Sequence, residues 1–243
     1  MLSAEASGNG RQKIAVVEDD RDIAEILDTT LTQHGYAVET FFTGESFLKS
    51  LPHRQPDLCL IDLSLPDRDG LGIVAELRAH KHIASIIVSG RHELGDKLVG
   101  LELGADDYIV KPFEEKEIVA RVRSVLRRMN ATQAMDGGDV ARFAGWTADF
   151  RRFELVSPQG RAVGLSGGEA GVLRVLLESA NRLLTRNELM DRLGLDTDQN
   201  FDRSIDVRIS RLRSKLEEDP KNPRFIKTVY GAGYLMVGQI NWE

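Results

Sequence analysis

Cysteine is nearly absent from this sequence. The single thiol, Cys59, excludes a disulfide framework within the chain and a cysteine-rich zinc site. It lies in the apolar run Leu58-Cys59-Leu60-Ile61, where a buried strand thiol is expected rather than a nucleophile. The opening residues, MLSAEASGNGRQ, have no basic segment followed by an apolar one, so no signal peptide is expected. No apolar run approaches the ~20 residues needed to span a bilayer. These absences predict a cytoplasmic chain without a membrane partner. No internal repeat is visible, and the five histidines (His34, His53, His80, His82 and His92) show no metal-ligand spacing. A basic excess is missing too. The net charge is -6, with 16 Lys+Arg against 22 Asp+Glu over residues 1–130 and 16 against 16 over 131–243. That balance argues against indiscriminate polyanion binding but leaves room for a local basic element.

What is present divides in two, and 243 residues are enough for two cores. The first half alternates β-rich runs (Ile14–Val17, Ala37–Phe41, Asp57–Ile61, Ser85–Val88, Asp107–Val110) with amphipathic segments. In one of these, Arg21–His34, Ile23, Ile26, Leu27 and Leu31 share a face. Five such alternations predict an α/β domain on a parallel sheet, with its chemistry at the carboxyl ends of the strands. A polar, glycine-containing stretch, Asn130–Asp139, reads as the linker. Beyond it come short strands near Arg142–Phe143, Thr147–Asp149, Phe153–Val156 and Ala162–Leu165. Three helices follow, then a terminal hairpin, Phe225–Val237, turning at Tyr230-Gly-Ala-Gly233.

The strand ends carry the chemistry. The first strand runs into Glu18-Asp19-Asp20, the third ends on Asp62, the fourth on Ser89, and the fifth on Lys111-Pro112. Carboxylates crowded at one edge repel unless a cation holds them, and hard oxygen ligands suit Mg²⁺. A phosphoryl group could add its oxygens to such a metal, with Lys111 and the Ser89 hydroxyl serving its other oxygens. Asp62, the central carboxylate, can then act as a nucleophile and become an acyl phosphate. Helix capping is the competing explanation for a lone acid after a strand. Five polar groups all at strand ends exceed what capping explains.

The set VVEDD, LIDLSLPDRDG, VSG and GADDYIVKPF resembles bacterial response-regulator receivers of the OmpR/PhoB subfamily over residues 12–128. The resemblance implies strand order 2-1-3-4-5 and Asp62 as the phosphoacceptor for a sensor histidine kinase. It implies Mg²⁺ (or Mn²⁺) held by Asp19 and Asp62, by Glu18 mainly through water, and by the Ser64 backbone carbonyl. Ser89 becomes the switch hydroxyl, and Lys111 precedes a cis Pro112. Asp20 falls outside the acidic pair, as a helix cap or a surface charge. Tyr108 is either an aromatic that rotates when Ser89 moves inward, or a core ring with an exposed hydroxyl. In this subfamily the elements matching Leu94–Leu103, the fifth strand and Glu114–Arg128 form an active-state dimer. The matching charges are Lys97 with Glu117, Asp107 with Arg121, and Glu102 with Arg123, around Leu101 and Val119. A solvated charged face is the alternative for any single pair.

In the second half, RSIDVRISRLRSK (203–215) has Ile205, Ile209 and Leu212 at helical spacing, continued by Leu216. The other face is expected to present Arg203, Arg208, Arg211 and Lys215 to solvent. An arginine-bearing helix of this kind fits the major groove, although a solvated face would look the same. The stretch from LSGGE to TVYGAGYLM resembles the OmpR/PhoB winged-helix effector over nearly all of residues 142–238. The likeness implies a recognition helix at Arg203–Leu216. Arg203, Ser204, Val207, Arg208, Arg211 and Arg213 would meet DNA there, and Thr228 a phosphate. Ser210 departs from an arginine found in a relative. In the wing, Tyr230 stands where many relatives have arginine, so it either contacts the DNA backbone or packs inside the hairpin.

The expected architecture is therefore an α/β, (βα)5 doubly wound parallel-sheet receiver followed by an α+β winged helix-turn-helix domain. Its expected segments are a tail at 1–11, the receiver at 12–129, a linker at 130–141 and the effector at 142–240. The expected function is transcription regulation, not enzymology beyond self-phosphorylation and slow self-dephosphorylation. Promoter DNA, a homodimer when phosphorylated and RNA polymerase are the further partners. A phosphorylation-independent receiver is the alternative. An aspartyl-phosphate hydrolase would instead need a DxD pair after the first strand and a cap domain.

Overall fold

The computed structural model describes residues 11–77, 80, 82–90, 100, 103–134, 138–193, 202–216, 219 and 222–243, excepting the side chains of 128, 130–134 and 202–204. Lys97, Leu101, Glu102 and His92, and the side chains of Arg203 and Ser204, lie outside the described residues.

The first sheet comprises β1 (Lys13–Val17), β2 (Ala37–Phe41), β3 (Leu58–Ile61), β4 (Ala84–Ser89) and β5 (Asp107–Val110). All neighbours pair in parallel, in the order β2-β1-β3-β4-β5. Strands β3 and β4 are buried at every residue, which is why they read as unbroken apolar runs rather than alternating ones. The helices are α1 (Arg21–Gln33), α2 (Gly44–Ser50), α3 (Gly70–Leu77) and α4 (Glu115–Ala134).

Asp20 starts α1, its carboxylate accepting from the N–H groups of Asp22 and Ile23 at 3.0 and 3.2 Å. Of its two readings, the helix cap holds. Leu27 and Leu31 of α1 face the core, whereas Ile26, expected beside them, is 46% exposed. Three positions from Ile23 leaves it on the margin of the apolar stripe.

The second unit opens with a meander: β6 (Val140–Phe143), β7 (Trp146–Asp149), β8 (Glu154–Val156) and β9 (Ala162–Gly164). Then come α5 (Gly167–Glu178), β10 (Leu183–Leu184), α6 (Arg186–Leu193), α7 (Asp202–Lys215), and the hairpin of β11 (Ile226–Val229) and β12 (Gly233–Met236). β12 lies between β10 and β11 in a three-stranded antiparallel sheet. Helix α5 begins with a capping box, Ser166 Oγ accepting from Glu169 N and Glu169 Oε2 from Ser166 N. In α7, Ile205, Ile209 and Leu212 pack into the core as their spacing predicts.

A last strand, β13 (Asn241–Trp242), pairs antiparallel with β6 and was not legible in the sequence. The buried Arg174 guanidinium lies 5.6 Å from the Trp242 ring and 5.3 Å from that of Phe150, joining this strand to α5. Strand β13 also passes the expected effector limit of 240. The expected linker is shortened from both sides, because α4 runs on through Ala134 and β6 begins at Val140. The polar composition that suggested a linker there is equally compatible with the end of a helix. A buried apolar cluster continues from Val122, Val125, Leu126 and Met129 of α4 into the second unit.

Candidate functional site

Each acidic residue reaches the site because its strand stops there. Glu18 follows β1, its backbone N–H donating to the Phe41 carbonyl at 2.9 Å, and Asp62 follows β3, its N–H donating to Val17. Glu18 is 1% exposed and Asp62 6%, while Asp19 faces solvent. One carboxylate oxygen from each of Glu18, Asp19 and Asp62 lies within 4.8 Å of the others. Between two of them sits Lys111, its Nζ 2.6 Å from Glu18 Oε2 and 2.7 Å from Asp62 Oδ2. The remaining Asp62 oxygen, Oδ1, accepts from the Ser64 backbone N–H at 3.0 Å.

The electrostatics follow from this packing. Burial pushes the Glu18 carboxyl up to about 7, although Lys111 pulls the other way. Burial alone would lower the Lys111 ammonium, but the hydrogen bonds to Asp62 and Glu18 outweigh it and hold it above its usual range. Two buried carboxylates and one exposed one, with a single ammonium between them, form an all-oxygen donor set with surplus negative charge. Such a set fits Mg²⁺ or Mn²⁺.

Ser89 ends β4 fully buried, and its carbonyl accepts from Lys111 N at 2.9 Å. The Lys111–Pro112 peptide is cis. Tyr108 is 7% exposed, within the core cluster that includes Leu65 and Ile87. Two supports of the site escaped sequence reasoning. A Cβ on Gly70 would collide with the Asp62 carbonyl oxygen, so glycine is required where α3 begins. Asp67 accepts from the N–H groups of Gly44 and Glu45, tying the loop after Asp62 to the start of α2.

Among the expected dimer residues, Glu117, Arg121 and Asp107 form one cluster within the chain, Val119 is buried and Arg123 is exposed.

The expected DNA face is covered in part. Arg208 is 4% exposed, and its NH2 donates to the Asp106 carbonyl of the first unit at 2.6 Å. Arg211 NH1 lies 3.6 Å from Glu169 Oε1, and Lys215 Nζ donates to the Gly164 carbonyl at 2.8 Å. The expectation that Arg208, Arg211 and Lys215 stand in solvent is therefore corrected. They flank α7 on the side where α5 and the first unit approach. Arg213 donates to the Ile226 carbonyl at 2.9 Å and to Thr228 Oγ1 at 2.9 Å, which joins α7 to the hairpin. Val207 is half-buried, and Ser210 is exposed. Tyr230 is 95% exposed at the hairpin turn, so it does not pack inside the hairpin.

Two protein families match the chain: the response regulator receiver domain over residues 14–123, and the C-terminal domain of transcriptional regulatory proteins over residues 160–236. The chain is 35% identical over 237 residues to the transcriptional regulatory protein GltR of Pseudomonas aeruginosa, covering 96% of this chain and 97% of that one. It is 38% identical over 231 residues to the transcriptional regulatory protein AruR of the same organism, with 92% and 95% covered. Among solved structures it resembles the response regulator DrrB, a Thermotoga maritima OmpR/PhoB homologue. That match has a TM-score of 0.51 and 31% identity, over 94% of this chain and 100% of that one. With the receiver sheet in the order 2-1-3-4-5 and a winged helix behind it, the chain belongs to the OmpR/PhoB family of two-component response regulators, which regulate transcription through a DNA-binding domain.

Proposed function

We propose that Asp62 accepts a phosphoryl group from a sensor histidine kinase and that the phosphorylated chain dimerises on promoter DNA. The observation that carries this reading is the Glu18, Asp19 and Asp62 cluster with Lys111 bonded to its two buried members. An Asp62 carboxylate oxygen attacks phosphorus, the new O–P bond forms as the donor's N–P bond breaks, and the imidazole leaves with the electron pair. Asp19, Asp62 and the Ser64 carbonyl, with Glu18 mainly through water, would hold Mg²⁺ (or Mn²⁺), which would supply positive charge that lets an anionic donor approach a carboxylate. Lys111, already at 2.7 Å from Asp62, exchanges a carboxylate oxygen for a phosphoryl one. The Ser89 hydroxyl donates to another, and Tyr108 follows into the space it leaves.

The dimer uses the Leu94–Leu103 segment, β5 and α4. It places two winged helices on direct repeats about one helical turn apart, with RNA polymerase as a further partner. Within each copy Arg203, Ser204, Val207, Arg208, Arg211 and Arg213 of α7 meet the duplex, with Thr228 and Tyr230 of the hairpin. The receiver and linker are assigned to residues 12–134 and 135–139, and the effector to 140–243.

The test is labelling with acetyl phosphate. Wild type should take up phosphate only with Mg²⁺ present, as an acid-stable, hydroxylamine-labile adduct, and Asp62→Asn should take up none. An equal yield of that adduct on Asp62→Asn would move the phosphoacceptor elsewhere.

A further inference from the structure

Asp106 stands where the receiver sheet meets the effector, and it is 3% exposed. One carboxylate oxygen accepts from Ser85 N at 3.0 Å, within the receiver. The other accepts from Gly168 N at 2.8 Å, in the first turn of α5. That N–H has no acceptor inside its own helix, and the helix dipole favours an anion there. The carbonyl of Asp106 receives the Arg208 guanidinium at 2.6 Å. One residue thus holds the receiver edge, the first effector helix and the helix expected to enter DNA.

The seat is tight. A Cβ on Gly168 would lie 2.7 Å from Arg208 Nε, and one on Gly167 would collide with Met129 Sδ of α4. Beside them is a cavity of about 30 Å³, bounded in part by Ser85, Asp106, Glu169 and Arg211. The arrangement is also costly. Arg208 NH1 is buried without a hydrogen-bond partner, and an unsatisfied buried donor is destabilising. Burial lowers the guanidinium pKa, while the charges of Asp106, Asp107 and Glu169 oppose that shift. A group under-satisfied here, on a helix with arginine at DNA-facing positions, has a better partner available in a phosphate oxygen.

We propose that Asp106 is an autoinhibitory latch: the receiver and DNA compete for Arg208, so the duplex gains this guanidinium only when the seam between the two units opens. The inference rests on the reading of α7 as the DNA-binding helix. It makes the unphosphorylated chain a weak DNA binder for a reason inside one chain, separate from dimerisation.

The full-length chain carries the test, with Gly167→Leu wedging α4 away from α5 and Gly168→Ala displacing Arg208 directly. Arginine reactivity with phenylglyoxal is mapped by mass spectrometry. Affinity is measured at low salt for a mixed-sequence duplex about four helical turns long. In unphosphorylated wild type, Arg208 should react far more slowly than Arg152, whose side chain is 73% exposed. Either glycine variant should bring Arg208 towards the rate of Arg152 and tighten DNA binding about tenfold, and adding Arg208→Ala should remove that gain. Equal reactivity of Arg208 and Arg152 in wild type would overturn the latch. So would a variant that frees Arg208 yet binds DNA no more tightly, or a gain that survives Arg208→Ala. If no chain binds the duplex at any salt, the DNA reading of α7 fails, and the latch fails with it.

Discussion

Arg121 holds Asp107 at 3.4 Å and Glu117 at 2.6 Å within its own chain. Three of the charges matched to a dimer seam are therefore already paired. The pair with Glu117 is partly exposed and contributes little, whereas Asp107 is buried, so removing its partner is the costlier change. A phosphoryl mimic such as beryllium trifluoride should raise the mass seen by light scattering. Arg121→Glu, which places a third acid beside two others, should suppress the rise. An unchanged mass in wild type would count decisively against phosphorylation-driven dimerisation.

Glu18 gives the proposed metal site a pH dependence with a definite sign. A cation binding the carboxylate must displace the proton that burial holds there up to about 7. Mg²⁺ affinity, followed by fluorescence or calorimetry, should fall by up to about tenfold per pH unit below that point and level off above it. Folding without metal runs the opposite way. A carboxyl raised from 4.5 to about 7 lends stability that is full below 4.5 and is lost as pH rises through about 7. Mg²⁺ affinity independent of pH between 5 and 8 would remove Glu18 from the site.

Arg211 probes base contact without the receiver contact of Arg208 or the hairpin contact of Arg213, its own ion-pair partner being Glu169 of α5. Arg211→Ala should cost ~1–3 kcal/mol of specific binding if it reaches a base edge. The loss would be read by titration of a footprinted site. Those footprints should show direct repeats about one turn apart. Protected regions without a repeat would require another arrangement.

Tyr230, 95% exposed at the wing, can donate one hydrogen bond to a phosphate but lacks the charge that a narrow A·T minor groove attracts. Tyr230→Arg should bind more tightly and prefer A·T-rich flanks, compared with wild type on targets differing only there. Identical flank preference in the two proteins would show that the wing does not read DNA at this position.

The cluster around Asp62 was legible because ending a strand is a local property. Glu18, Asp62, Ser89 and Lys111 each follow an apolar run, and the parallel sheet does the rest. Contacts across long stretches of chain left no such trace. Asp106 reads as a loop acid and Arg208 as a surface cation, and nothing in their spacing joins them. Asp67 looks like a turn residue, yet it serves another helix. The two residues of β13 are too short to show alternation, and a strand is made of them by the partner β6. Periodicity was right about the core side of α7. It could not say that the receiver would cover part of the other side.

Strands β4 and β5 have two working ends. Ser89 and Lys111 leave them at the edge of the acidic cluster, while Ser85 and Asp106 stand at the opposite edge, joined by Asp106 N donating to the Ser85 carbonyl at 2.7 Å. On the proposed latch, the two ends of this ladder are coupled. Thermodynamic linkage then runs in both directions. On that proposal, whatever draws Ser89 towards Asp62 would bear on the grip at Asp106, and a duplex that takes Arg208 from that grip would favour the same state as a phosphoryl group on Asp62. Promoter occupancy would in that case be an input to the receiver as well as its output.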